Sequence, residues 1–222
     1  MAIPVEQVEA IFTAVENDDA AGLRHLIQNR ADIVDAQRKA DGLSVLLYAM
    51  YLGKWEMVDL IAPFHPGLDI FESAALGRES RIQHLATTNP RLVTKRTPDG
   101  WTALHLAAFF GQLNAARVLI EKGADVKARS ANEQANCPLH SAAAGRHFSV
   151  CELLIGSGAE VDSQQHGGFT ALMTAAQHGD RGLGELLIKR GAGRAIRNDE
   201  GKTAADIAAD NGHTEMAAFL RP

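Results

Sequence analysis

The stretch Thr102-Ala103-Leu104-His105-Leu106-Ala107-Ala108 returns three times further along the chain. It reappears as Cys137-Pro138-Leu139-His140-Ser141-Ala142-Ala143, as Thr170-Ala171-Leu172-Met173-Thr174-Ala175-Ala176 and as Thr203-Ala204-Ala205-Asp206-Ile207-Ala208-Ala209. The starting positions 102, 137, 170 and 203 step by 35, 33 and 33 residues. A period of this length holds one small supersecondary unit, which cannot bury its apolar face alone and must shield it against its neighbours. In the fullest unit, Asp99-Gly100 supplies a tight turn and Thr102 stands where a hydroxyl caps a helix. Leu104, Ala107 and Ala108 then recur at helical spacing. Gly111 ends that helix in the left-handed conformation. Leu113, Ala116, Val118, Leu119 and Ile120 mark the apolar side of a second helix that stops at Gly123.

The unit departs from this form in places. Two extra residues around Asn132-Glu133 account for the step of 35, and Arg146 occupies the place of the helix-ending Gly. The second helix of the sixth unit carries Gly182 and Gly184, each about 1 kcal/mol less favourable than Ala, so it is expected to be the softest internal helix. Upstream, Asp41-Gly42-Leu43-Ser44 repeats the turn and cap, with Ser44 and Gly53 each 58 residues before Thr102 and Gly111. Pro63-Phe64-His65-Pro66 truncates the second helix there. The unit from Leu68 lacks the turn-and-cap signal, though Ile70, Ser73, Ala74, Gly77, Ile82, Leu85 and Ala86 hold their places, and Ile11-Phe12-Thr13-Ala14 parallels Ile70-Phe71-Glu72-Ser73.

The period near 33, the T-P-L-H-x-A core and Gly123-Ala124-Asp125-Val126 after the second helix make the chain resemble the ankyrin-repeat family along essentially its whole length. The resemblance implies an all-α solenoid of stacked helix-turn-helix units with short β-hairpin-like turns. It is expected to form a single domain over 1–222, with repeats near 4–38 (an N-terminal cap), 41–66, 67–97, 99–131, 132–165, 166–198 and 199–222 (a C-terminal cap). Asp206, Asp210 and Glu215 charge the outer face of the last repeat, as a capping unit requires.

Composition narrows the function classes. The net charge of −5 is spread evenly, with no basic face to attract a polyanion, so nucleic acid is not an expected partner. No stretch approaches the 18–20 apolar residues of a membrane helix. The start of the chain has no basic leader before an apolar run, so a soluble, cytoplasmic protein without a membrane partner is expected. Cys137 and Cys151 make neither a disulfide framework nor a zinc site, which points to a reducing compartment.

No constellation for catalysis, cofactor or metal stands out. The resemblance gives His105 and His140 a structural role, bridging backbone groups of adjacent turns, and His213 a place in the Gly-His step of the repeat. His25, His65, His84, His147, His166 and His178 are scattered, without H-E-x-x-H or paired cysteines at ligand spacing. His140 lies one helical turn from Cys137, as a nucleophile-base pair would. The repeat itself demands a small polar cap and a His at those two positions, so the structural reading prevails. Gly167-Gly168 and Gly182-Leu183-Gly184 do not follow the strand-turn-helix order of phosphate loops.

In the family this chain resembles, turns and first helices line a concave groove. Mapped onto this sequence, the exposed positions there include Tyr51, Leu52, Leu76, Trp101, Phe109 and Phe110, an apolar and aromatic run across repeats two to four. From repeat five onward the same positions are small or polar. Clustered exposed aromatics have the composition of a protein-binding hot spot. The expected function is therefore a non-enzymatic interaction module or scaffold binding a partner protein or peptide, as a monomer or weak homodimer. The competing assignment for these side chains is packing between repeats. A dedicated inhibitor or regulatory subunit of one enzyme is the alternative function, and an enzyme built on the scaffold stands behind both.

Overall fold

A computed structural model describes residues 3–221; Met1, Ala2 and Pro222, the outermost positions of the expected single domain, lie outside the described residues. Among the described residues there are fourteen α-helices and no sheet, an all-α ankyrin-repeat fold. The only extended pairings among them are the isolated antiparallel bridges Gln37–Ser44 and Arg96–Thr102. The chain divides into two compact units. One comprises residues 1–72 with 97–99, the other residues 73–96 with 100–222.

In the first unit, α1 (Val5–Glu16) packs on α2 (Ala20–Asn29), and α3 (Val45–Tyr51) on α4 (Trp55–Ile61). Ile11, Val15, Leu23, Val45, Leu46, Met57 and Ile61 are fully buried. Ser44 caps α3 by accepting from the Leu47 N–H at 3.2 Å, and Asp19 caps α2 by accepting from Gly22 at 2.8 Å. The expected truncation of the second repeat is present. α4 ends at Ile61 and the chain tightens into a 3₁₀ turn over Ala62–Phe64.

The helix α5 (Ile70–Ala75) begins with a cap that the Ser/Thr pattern did not reveal. The Asp69 carboxylate accepts from the N–H groups of Phe71 and Glu72, both at 2.8 Å, and the Glu72 carboxylate accepts from the Asp69 N–H at 3.0 Å. This is a capping box with carboxylates on both sides. The third repeat therefore has its cap, written in another residue type.

The second unit holds α6 (Glu79–Thr88), α7 (Ala103–Phe109), α8 (Leu113–Glu121), α9 (Pro138–Ala144), α10 (Phe148–Gly156), α11 (Ala171–Gln177), α12 (Arg181–Lys189), α13 (Ala204–Asp210) and α14 (Thr214–Leu220). First helices stack in one row, α7 on α9, α9 on α11 and α11 on α13. Second helices stack in another, α6 on α8, α8 on α10 and α10 on α12. Helices of seven to ten residues are marginal by themselves, so each depends on these layers. Ala107, Ala108, Ala142, Ala143, Ala175 and Ala176 are all fully buried, their small side chains admitting the next helix. Leu104, Leu139 and Leu172 fill the centre of each layer, each contributing about 1.5–3 kcal/mol by burial.

Turns join the layers at close quarters. Gly100 adopts φ 93°, and a Cβ there would lie 2.8 Å from the Asn132 amide. Only Gly admits that approach. Arg146 keeps the left-handed conformation of the helix-ending Gly it replaces, at φ 61°, so the corner retains the repeat's geometry.

Candidate protein-binding surface

The histidines of the motif are structural, with defined tautomers. His105 Nε2 lies 2.9 Å from the Asn136 carbonyl, which can only accept, so the proton sits on Nε2. Its Nδ1 then accepts from the Thr102 hydroxyl at 2.7 Å. His140 repeats the arrangement, donating from Nε2 to the Ser163 carbonyl at 2.9 Å while Nδ1 faces Cys137. Each imidazole ties one turn to the next. His147 joins a second series: its Nε2 donates to the Phe109 carbonyl at 2.9 Å, as His213 does to Gln177 at 3.2 Å and the Gln112 amide does to Ala75 at 3.1 Å. His147 is thus not a scattered residue. It stands in the same step as His213, hidden from the Gly-His pattern because Arg146 precedes it.

A further series crosses the turns. Arg96 donates to the carbonyls of Gly100 and Arg129, Arg129 to those of Ala135 and Gln164, the Gln164 amide to those of Gly168 and Arg197, and Arg197 to that of Gly201. Each turn is held to the following one by a long planar donor, a link the sequence pattern did not disclose.

The expected partner-binding residues fall in both units. In the first, Tyr51 is largely buried at the end of α3. Burial, followed by the neighbouring Asp99 carboxylate, pushes its phenol above the ordinary range. Leu52, next in the chain, is 42% exposed. In the second unit Leu76 is half-buried. Trp101 is also half-buried, its ring centroid 5.5 Å from that of His105. Phe109 and Phe110 stand edge to face with centroids 5.2 Å apart. Phe109 is 43% exposed and Phe110 half-buried.

The structure therefore brings Phe109 and Phe110 together at the end of α7, while most of Tyr51 serves packing. Other large apolar side chains are as exposed as Phe109: Trp55 and Phe64 in the first unit, and Phe148 at the start of α10 in the second. They lie on second helices or just after one.

Among the described residues no group of three or more His, Cys, Asp or Glu could hold a metal ion, and no helix is long and apolar enough to cross a membrane. One ion pair, His65–Glu72, is nevertheless buried in the first unit, with the exposed Asp35 carboxylate beside it. His65 Nε2 lies 3.2 Å from Glu72 Oε1, and Asp35 Oδ1 lies 3.6 Å from His65 Nδ1. Hydrogen bonding to Glu72 raises the His65 imidazole above its ordinary value, against the downward effect of burial. For Glu72 burial works upward, but hydrogen bonds from His65 and Ser44 outweigh it and hold the carboxyl low. The pair locks the 3₁₀ turn to the start of α5.

A family model for ankyrin repeats in three copies matches residues 70–165 and again residues 139–222. The chain belongs to the ankyrin-repeat family. It is similar to the transient receptor potential cation channel subfamily A member 1 homolog of Caenorhabditis elegans, with 34% identity over 152 residues, 68% of this chain and 12% of that protein. It is also similar to the neurogenic locus notch homolog protein 2 of Homo sapiens, with 34% identity over 195 residues, 87% of this chain and 7% of that protein. With the E3 ubiquitin-protein ligase XBAT32 of Arabidopsis thaliana it shares 38% identity over 116 residues, 51% of this chain and 23% of that protein. The chain spans less than a quarter of each of these relatives.

Proposed function

We propose that the chain is a non-enzymatic protein-interaction module, and that the apolar end of α7 in the second unit anchors a partner protein or peptide. The observation that carries this reading is the edge-to-face pair Phe109–Phe110, with 43% of Phe109 open to solvent. Rigid aromatic anchors are the side chains that supply most of the energy at protein interfaces. Trp101 and Leu76, both half-buried in the same unit, supply further apolar surface. Leu52, with the rim of Tyr51, is the corresponding exposed position of the first unit. Ankyrin repeats are generally protein-interaction modules, and neither nucleic acid nor membrane enters this reading. Two free thiols suit a reducing cytoplasm.

The test compares the wild-type chain with Phe109→Ser in affinity capture from native lysate, using Phe148→Ser as a control of equal exposure on a second helix. A partner retained by wild type and by Phe148→Ser, but lost from Phe109→Ser with unchanged far-UV circular dichroism, is the expected result. Identical captured sets from all three proteins would remove α7 from the assignment. Light scattering on the same samples reports whether the free chain is monomeric or a weak homodimer.

A further inference from the structure

Two cysteines are buried in the second unit, and only one has a base beside it. Cys151 is fully buried on α10, and its thiol is pushed up to about 12, chiefly by burial. Cys137 takes the position that Thr102, Thr170 and Thr203 hold in other repeats. Its Sγ lies 2.9 Å from His140 Nδ1 and 3.1 Å from the Ser163 hydroxyl. The His140 tautomer is fixed from the far side. Because Nε2 donates to the Ser163 carbonyl at 2.9 Å, the Nδ1 lone pair faces the sulfur. The Cys137 N–H, 3.2 Å from the same Nδ1, holds the ring in register. Where Thr102 stands at this place, beside His105, the same geometry only locks a turn, since a hydroxyl does not ionise near neutral pH. A thiol does.

We propose that Cys137 is a thiol-oxidation site, with His140 as the base that accepts its proton and small hydroperoxides, hydrogen peroxide foremost, as the oxidant class. Burial alone would raise this thiol, but the hydrogen bond and charge of His140, aided by the Ser163 hydroxyl, bring it down to about 7. The thiolate is the reactive form. In the step, the proton passes from Sγ to Nδ1 and a sulfur lone pair attacks one oxygen of the peroxide. The O–O bond breaks, and the departing hydroxide takes the proton from His140 to leave as water. Sulfur loses two electrons and becomes a sulfenic acid, while the peroxide is reduced. Cys137 is buried, with the half-exposed Ser163 against its sulfur, so the oxidant class is restricted to reagents as small as hydrogen peroxide and excludes bulky electrophiles.

Cys151 serves as the internal control. The intact chain is treated with hydrogen peroxide at a series of pH values, sulfenic acid is trapped with dimedone after quenching and denaturation, and each cysteine is quantified by peptide mass spectrometry. Cys137 is expected to oxidise at least about tenfold faster than Cys151. Its rate should have a midpoint near pH 7, below the ordinary thiol value of about 8.5. In His140→Asn with unchanged circular dichroism, the Cys137 rate should fall to that of Cys151. Where that variant does not fold, the rate ratio and pH midpoint of the wild-type chain decide. Equal rates at the two cysteines, a Cys137 midpoint at the ordinary thiol value, or a folded His140→Asn that keeps the wild-type rate would overturn the assignment.

Discussion

Arg146 is held at φ 61°, the conformation Gly111 adopts at φ 72° one repeat earlier. A side chain in the left-handed region costs roughly 1–2 kcal/mol, and the exposed ion pair from Arg146 to Asp180 returns little of it. Arg146→Gly should therefore raise the urea midpoint, by about 0.5–1 kcal/mol once the greater freedom of unfolded Gly is subtracted; an unchanged or lower midpoint would contradict this. The histidines divide by environment. His65, raised by Glu72, contributes stability that is present below about pH 6.5 and lost as pH rises through its folded value. Glu72, lowered, contributes stability above about pH 4.5 that is lost as pH falls through its folded value. His105 is lowered to about 4, mainly by burial. It therefore costs stability progressively between about pH 6.5 and 4, reaching about 3 kcal/mol as the unfolded chain binds a proton the folded one refuses. In an NMR titration of the imidazole rings His65 should show a midpoint above the free-histidine value and His105 one well below it; the reverse order would sink both assignments. The motif marked His105 as structural, whereas His65 had no pattern to mark it. Its partner Glu72 lies seven residues away across the turn at 66–67, a juxtaposition no period encodes.

At the scale of the element, the two glycines of α12 look alike in sequence and differ in space. A Cβ at Gly182 would find nothing closer than 3.8 Å, while one at Gly184 would lie 2.6 Å from the Met216 methyl. Gly182→Ala should stabilise the protein by up to about 1 kcal/mol through helix propensity. Gly184→Ala should give less than half of that, because Met216 of α14 must move aside. Thermal unfolding of the two variants checks the split, and equal gains would show that Met216 yields freely. The caps divide in the same way. Ser44, Thr102, Thr170 and Thr203 are legible as caps from residue order alone, since a hydroxyl ahead of an apolar run has few other uses. The Asp69–Glu72 box is equally local and equally written in sequence. The hydroxyl pattern passes over it because two carboxylates perform there the chemistry that Ser or Thr performs elsewhere. The donor series Arg96, Arg129, Gln164 and Arg197 also keeps the repeat's spacing. Its meaning lies in the reach of Arg96, Arg129 and Gln164 to the carbonyls of the following turn, which spacing does not convey.

For the molecule as a whole, stability runs through neighbouring layers. In the second unit α9 touches α7 and α11, and α13 touches α11 and α14. Leu139, fully buried in α9, should cost about 2–5 kcal/mol when replaced by Ala. In native-state hydrogen exchange Leu139→Ala should lose protection most in α9, then in α7 and α11, and least in α14, as expected of a one-dimensional array. Uniform loss across the unit would mean a single cooperative core instead. The family model matches from residue 70 onward, where the T-x-L-H form is strongest. The first two repeats, with a 3₁₀ turn over Ala31–Asp35 and the shortened α4, keep helix pairs while departing from that form. The sequence by itself determined the all-α repeat architecture, because a helix pair of this period can satisfy its apolar face only by stacking, and the period is visible in one dimension. Tertiary structure alone decided which aromatic side chains remain open to solvent. Tyr51 is largely covered and Phe109 is not, although both stand two residues before a helix-ending Gly, because exposure depends on what the neighbouring turn and helix place against the ring. It likewise decided that Cys137 has a base at its sulfur and Cys151 has none, since a thiol takes its reactivity from the groups around it.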